Sequence, residues 1–355
     1  MNQWREQDYC HDMLPLVSRT FAACIGLLPP RLEFPVLVAY LLCRIADTIE
    51  DSPTHDATVK ATLLALWRQA LADDQTDITA IATTFASPQD DDQRLAATAD
   101  RVLTAFRSLD PGDQAAIRPW VGEMCEGMAW FSSAYPAARP GVLQALESEA
   151  DLDRYCYYVA GTVGHLLTAL FARHSHRITP ARHRALRHLA TSFGLGLQLT
   201  NIIKDVADDH QRGWCFVPSG LCQRWGLAPA ELLDPAAAPA ARQVMQRLIA
   251  TAEGHLRRAL RYCRHLPHSQ LRIRLFCLTP LYFAIRTLRL AEHDPRLLDP
   301  GHKVKITRRE VRRTILISWL VAPSNRLVTL YFRHLAHRRR GLRHATTVNG
   351  PGHIS

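Results

Sequence analysis

Apolar residues recur at spacings of three and four along most of the chain, and alternating runs of β-branched residues are nearly absent. That period predicts helices, and Ala, Leu and Arg, all favourable in helices, dominate the sequence. Turn residues punctuate the pattern at Leu28–Pro30, Ser52–Thr54, Ser87–Asp90, Pro218–Gly220, Asp234–Pro235, Asp299–Gly301 and Ala322–Ser324. Helices of ordinary length fit between these breaks. No short-period repeat and no low-complexity linker divides them, so the pattern predicts an all-α fold built as one large domain over residues 1–310. A basic helical extension with a frayed end is expected over residues 311–355.

Composition narrows the class. With 355 residues, 47% of them hydrophobic, the chain can bury a sizeable core, which excludes extended disorder. The net charge of +10 is unevenly distributed: residues 300–343 carry twelve Lys and Arg against the single acid Glu310, so this segment is +11 and the rest is −1. Such a segment attracts phosphate-rich partners, and the body is not a polycation. Nine dispersed cysteines without a CxxC pair point to reduced thiols rather than a disulfide framework or a zinc site. The polar, mixed-charge start predicts no signal peptide, and the apolar stretch 315–322 falls well short of the roughly 20 residues that span a bilayer. A cytoplasmic protein without a transmembrane helix is therefore expected.

Chemistry enters at residues 40–51. At about 100° per residue, Tyr40, Arg44, Asp47 and Asp51 share one stripe of a helix whose remaining positions (Leu41, Leu42, Cys43, Ile45, Ile49) are apolar. Residues 198–209 repeat the design, with Gln198, Asn201, Asp205 and Asp209 on one face and Leu199, Ile202, Ile203 and Val206 elsewhere. Carboxylates on buried helices cost several kcal/mol unless paired or bound to metal. A single DxxxD is usually a solvated acidic face; two inside apolar helices, facing each other across a bundle, would surround a cavity with four carboxylates. Hard oxygen donors at that density suit magnesium, which bridges carboxylates to phosphates.

With these two runs in view, the chain resembles the squalene and phytoene synthase family, the head-to-head prenyl synthases, from Ser18 to about Arg309. Residues 18–21 (Ser-Arg-Thr-Phe) resemble the family's diphosphate-contacting segment, and residues 155–164 (Tyr-Cys-Tyr-Tyr-Val-Ala-Gly-Thr-Val-Gly) its central helix signature. The first acidic run, residues 276–280 and the stretch 304–308 are closer to the squalene branch, where the last lies in the NADPH-contacting segment. The resemblance implies a single-domain isoprenoid synthase fold around an apolar channel. It also implies condensation of two farnesyl diphosphates through presqualene diphosphate to squalene with hydride from NADPH. Without hydride the product would be dehydrosqualene or phytoene; a non-catalytic scaffold relative would be expected to lack some of the four aspartates, all present here.

The same resemblance assigns roles. Asp47, Asp51, Asp205 and Asp209 would hold magnesium, assisted by Glu50 and Asn201. Arg19, Arg44 and Lys204 would clamp diphosphate, with Ser18, Phe21, Tyr40 and Gln198 completing the substrate site. Phe21, Tyr40 and Phe276 would stabilise a carbocation and Tyr158 would handle a proton, although Tyr158 and Phe276 read equally well as core aromatics. Arg19, Arg44, Lys204, Lys305 and Arg308 would contact the cofactor. Departures weaken the NADPH assignment most: Lys204 and Trp214 stand where the family carries Arg, and Thr307 replaces a basic residue, with Arg212 and Arg308 near enough to compensate.

The basic segment has too few stacking aromatics for nucleic acid, so no nucleic-acid partner is expected. Residues 326–340 mix apolar and basic positions as an interfacial helix does, which suggests peripheral contact with an anionic membrane surface. A terminal helix docked on the body with solvated arginines fits the same pattern.

Overall fold

The structure, a computed structural model, describes residues 3–136 and 143–337. Helices account for nearly all of its regular structure. The first three are α1 (Gln3–Val17), α2 (Arg19–Ile25), whose N-terminus is capped by the Ser18 hydroxyl, and α3 (Pro30–Asp51), begun by a proline whose missing N–H costs nothing in a first turn. A layer of α4 (Ala57–Ala72), α5 (Thr79–Thr84), α6 (Asp91–Ala97), α7 (Ala99–Arg107) and α8 (Pro111–Ala134) follows. Next come α9 (Glu149–Cys156), a π-helical turn over Tyr157–Gly161, and α10 (Thr162–His174). The second half contains α11 (Pro180–Gln211), α12 (Ser219–Gln223), α13 (Ala238–His265) and α14 (Leu271–His293), and then α15 (Arg308–Val321) and α16 (Asn325–Ala336).

One detail departs from the purely helical expectation. Strands β1 (Gln144–Ala145) and β2 (Trp214–Cys215) form a two-residue parallel pair, in which the Gln144 N–H donates to the Gly213 carbonyl at 2.8 Å. So short a ladder is invisible to periodicity, and it ties the chain leaving α11 to the segment before α9.

Helix α3 is buried around most of its circumference, with Leu37, Leu41, Leu42, Ile45 and Ala46 fully enclosed. It packs on α4, α6, α7, α8 and α10, whereas α11 packs on α10, the π-turn, α13 and α14. Two glycines set the second wall. A Cβ on Gly164 would lie 2.3 Å from the Ala190 carbonyl oxygen, and one on Gly194 would lie 2.1 Å from that of Ala160. Only glycine at these positions lets α11 lie backbone-to-backbone against α10 and the π-turn. The frayed end expected from His344 onward lies outside the described residues.

Candidate active site

The two acidic runs lie on α3 and α11 and meet at one polar cavity. Its lining includes Arg44, Asp47, Glu50 and Asp51 from α3, and Gln198, Asn201, Lys204, Asp205 and Asp209 from α11. A second cavity, mostly apolar, has about 1260 Å³ of atom-free space and shares Arg44, Asp47, Val159, Gln198 and Asn201 with the first. Its mostly apolar lining suits a hydrocarbon ligand. Phe21, Tyr40 and Phe276 line it; the Phe21 and Tyr40 rings lie 5.3 Å apart, and Phe276 meets Phe171 edge-on at 5.9 Å.

The two motifs are held differently. On α3, burial pushes Asp47 up to about 8; Arg44 opposes this, and the nearby Asp51 and Asp92 carboxylates reinforce it. Glu50 is raised well above the carboxylate range by burial and by Asp51, while burial lowers the facing Lys60. On α11 each carboxylate has a cation: Lys204 pairs with Asp205, Arg212 with Asp209, and Lys303 with Asp208 at 2.6 Å. Burial raises Asp209 only to about 6 against the pull of Arg212, and the hydrogen bond from Lys303 holds Asp208 low.

Arg44 faces both cavities, yet its fork is committed. Nε and Nη2 donate to the two Asp92 oxygens at 2.8 and 2.6 Å, and Nη1 lies 3.9 Å from Asp47. Burial works against its charge, but the Asp92 hydrogen bonds and Asp47 hold it protonated.

A third cavity adjoins the polar one at Lys204 and Asp205. Arg19, Lys303 and Lys305 line it together with Val304, Ile306, Val311 and Ile315. Three of the residues assigned to the cofactor, Arg19, Lys204 and Lys305, therefore converge here. Arg44 lies in the other two cavities, and Arg308 is exposed at the start of α15, outside the lining of all three.

Two further residues lie outside the cavity linings, Ser18 just behind Tyr40, with which its hydroxyl hydrogen-bonds. The Ser18 hydroxyl accepts the Phe21 N–H at 3.2 Å as the cap of α2 and is outside the cavity linings. Tyr158 is also absent from them: its ring fills the space left by Gly127, where an added Cβ would come within 1.9 Å of it, and stands 6.5 Å from Trp130. The π-turn begins at Tyr157, whose hydroxyl donates to Glu123 at 2.7 Å. Tyr155, two residues earlier, lines the polar cavity, and burial with Glu50 and Asp51 nearby holds its phenol well above the usual range.

Sequence reasoning did not single out Asp92, Tyr155, Phe216 or Lys303. Of these, Lys303 carried a signal as part of the basic run and Tyr155 as the first residue of the central helix signature. Trp214, where a family arginine was expected, stacks between Phe131 and Phe216 at 5.7 Å from each and lines a small pocket with Glu50 and Lys60. Arg212 lines the polar cavity.

Among the described residues no three Asp, Glu, His or Cys side chains converge closely enough to hold a metal ion by themselves. The donors are spread along two facing walls. Such a set fits magnesium, which keeps waters and takes the rest of its shell from substrate phosphate, better than an ion needing a closed cage.

The geometry agrees with what comparison with known proteins finds. Residues 14–310 match the family model described as squalene/phytoene synthase. The chain is 34% identical over 298 residues to a squalene synthase of Eremothecium gossypii, covering 83% of this chain and 64% of that protein. It is 32% identical to a squalene synthase of Botryococcus braunii, covering 93% of this chain and 67% of the relative. Thus it spans about two thirds of the length of these curated relatives. The solved structure of TcSQS with a bound ligand superposes with a TM-score of 0.79 at 26% identity, over 94% of this chain and 92% of that one. A dehydrosqualene synthase structure shares the fold with a TM-score of 0.63 at 20% identity. With its helical architecture and paired acidic helices, the chain belongs to the squalene/phytoene synthase family.

Proposed function

We propose that the protein is a squalene synthase, a prenyltransferase that joins two farnesyl diphosphates head to head through presqualene diphosphate and reduces the product to squalene with NADPH. The observation that carries this reading is the continuity of the polar and apolar cavities through Arg44, Asp47, Val159, Gln198 and Asn201. A diphosphate in the first cavity would have its prenyl chain in the second. The squalene synthases at 34% and 32% identity support the same branch.

Asp47 and Asp51 on one wall and Asp205 and Asp209 on the other would hold magnesium, with Glu50 and Asn201 beside them. Magnesium, when bound, would neutralise the diphosphate and improve it as a leaving group. Lys204 and Arg212 present positive charge on the wall of the same cavity. Deeper in, side chains such as Ile25, Val36, Leu167 and Phe193 exclude water, and the ring faces of Phe21, Tyr40 and Phe276 stabilise positive charge on a prenyl chain. Arg19, Lys204, Lys303 and Lys305 suit the phosphates of a dinucleotide in the side cavity, where NADPH would supply hydride. A peripheral place on a membrane accords with lipid substrate and product; no described helix is long and apolar enough to cross one.

The test is incubation with farnesyl diphosphate and magnesium, with and without NADPH, followed by analysis of neutral lipids. Squalene formed only with NADPH is expected. Dehydrosqualene or phytoene regardless of NADPH would assign the non-reductive branch, and no turnover would favour the scaffold reading.

A further inference from the structure

The hairpin α15–α16 is fastened to the body. Arg274, fully buried in α14, donates to the carbonyls of Cys263, Leu266 and Ala322 and to Asn325 Oδ1 at 2.7–3.1 Å. The Tyr282 hydroxyl donates to the Val328 carbonyl at 3.2 Å, and Arg286 binds Glu310 at 2.8 Å. Thr314, Ser318 and Val321 of α15 and Val328 and Phe332 of α16 are buried beneath it. The hairpin is therefore docked rather than free.

Its outer face is unusual. Of the eight large hydrophobic residues exposed among the described ones, five are here: Leu316 (63%), Trp319, Leu320 (68%), Leu327 and Leu330. On α15, Leu316 and Leu320 continue the stripe begun by Arg309, Arg312 and Arg313; on α16, Leu330 lies between Arg326 and Arg333. All these arginines are exposed. The only acid on either helix, Glu310, is engaged by Arg286 and the Thr307 cap. Both helices pack on α14 and on each other, so their exposed leucines and arginines lie on the side turned away from α14.

We propose that this outward face docks on an anionic lipid bilayer. Leucines and a tryptophan flush with a ring of guanidinium groups, with no opposing acid, match acyl chains beneath negative headgroups. A nucleic acid would leave the leucines in water, and scattered surface leucines would not gather on one hairpin. The inner side of α15 supplies Val311 and Ile315 to the cavity that adjoins Lys204 and Asp205, so the docked face stands over a space leading to the active site. This last point gains its meaning from the reading of the protein as an enzyme of lipids; the docking itself is measured without turnover.

The experiment is sedimentation of the full chain with phosphatidylcholine vesicles, with and without phosphatidylglycerol, over a range of salt. Binding is expected to require phosphatidylglycerol and to weaken with salt. Leu316→Ser with Leu320→Ser should lower partitioning by about tenfold or more, and Arg312→Gln with Arg313→Gln should do so by about tenfold with a shallower salt dependence. Circular dichroism and melting of both variants report folding, and the arginine pair keeps the test open if the serine pair fails to fold. No binding to the anionic vesicles, or binding unchanged in both variants, would overturn the proposal. So would a dimer in solution that the serine pair converts to monomer, which would give the face to a second copy. Vesicle binding by a protein without synthase activity would refute the functional reading and leave this one standing.

Discussion

Asp47 opens the acidic run of one helix and Asp209 closes that of another; both line one cavity, and their surroundings treat them differently. On α3 packing buries Glu50 and partly withdraws Asp47 from water, and Asp51 adds its charge to both, so Asp47 rises to about 8 and Glu50 well above its ordinary range. On α11 each acid is met by a cation from its own helix, from Arg212 or from Lys303, and Asp209 reaches only about 6. The α3 acids share one arginine, Arg44, with Asp92, whereas each α11 acid has a cation of its own. On the proposed reading, binding of magnesium and a diphosphate would draw protons from the first wall and turn the lysine and arginine of the second toward phosphate.

The most severe way to break this comparison is to remove its aspartates. Asp47→Asn and Asp209→Asn are each expected to lower kcat/KM by roughly 10²–10³-fold. They should differ in the size of the stability change: without metal, Asp47→Asn raises the melting temperature more than Asp209→Asn, whose acid is partly offset by Arg212. Steady-state kinetics and thermal melts on the same samples check both, and an equal or larger gain in Asp209→Asn would contradict the contrast.

The next largest effect is on pH. A carboxyl raised in the folded state contributes stability below its unfolded value and loses that contribution as pH climbs through its folded value. With Asp209 near 6 and Asp47 near 8, the metal-free protein should lose this contribution between about pH 4 and 8. Magnesium needs the ionised forms, so its affinity and the melting-temperature gain it confers should increase from pH 6 to 8. Melts with and without magnesium across that range would reveal it, and Asp47→Asn should flatten the upper part.

A smaller effect probes the support of the α3 wall. Asp92→Asn frees the Arg44 fork and should cost about tenfold in kcat/KM. Arg44→Lys, which keeps charge but not the fork, should show a similar loss. A normal rate in both would mean that the Arg44–Asp92 pair has only a structural role. The smallest effect is expected from Asp208→Asn, which removes the exposed pair with Lys303. It should leave the melting temperature nearly unchanged, with any small loss shrinking in high salt.

Much of the site was legible because helix periodicity is local. The spacing within residues 40–51 and 198–209 is enough to put each set of polar side chains on one face, and both helices carry them to the same cavity. Tyr158 shows where local reading ends. Within residues 155–164, Tyr155 and Val159 line the cavity, whereas Tyr158 fills the notch at Gly127 on α8, a choice made by the neighbouring helix. Arg308, placed beside the cofactor stretch by sequence, ends at an exposed helix start, while Lys303 reaches Asp208 across nearly a hundred residues of chain.

The sequence by itself determined the helical class, the two acidic faces and the basic, leucine-bearing C-terminal segment, because each depends on residues within a few turns of one another. Tertiary structure alone decided which acids are buried and which are paired, that Arg44 is committed to Asp92, and that the last two helices are docked with their leucines outward. Those outcomes depend on packing between elements distant in the chain, where desolvation and partner distance set the energy and no local pattern records either.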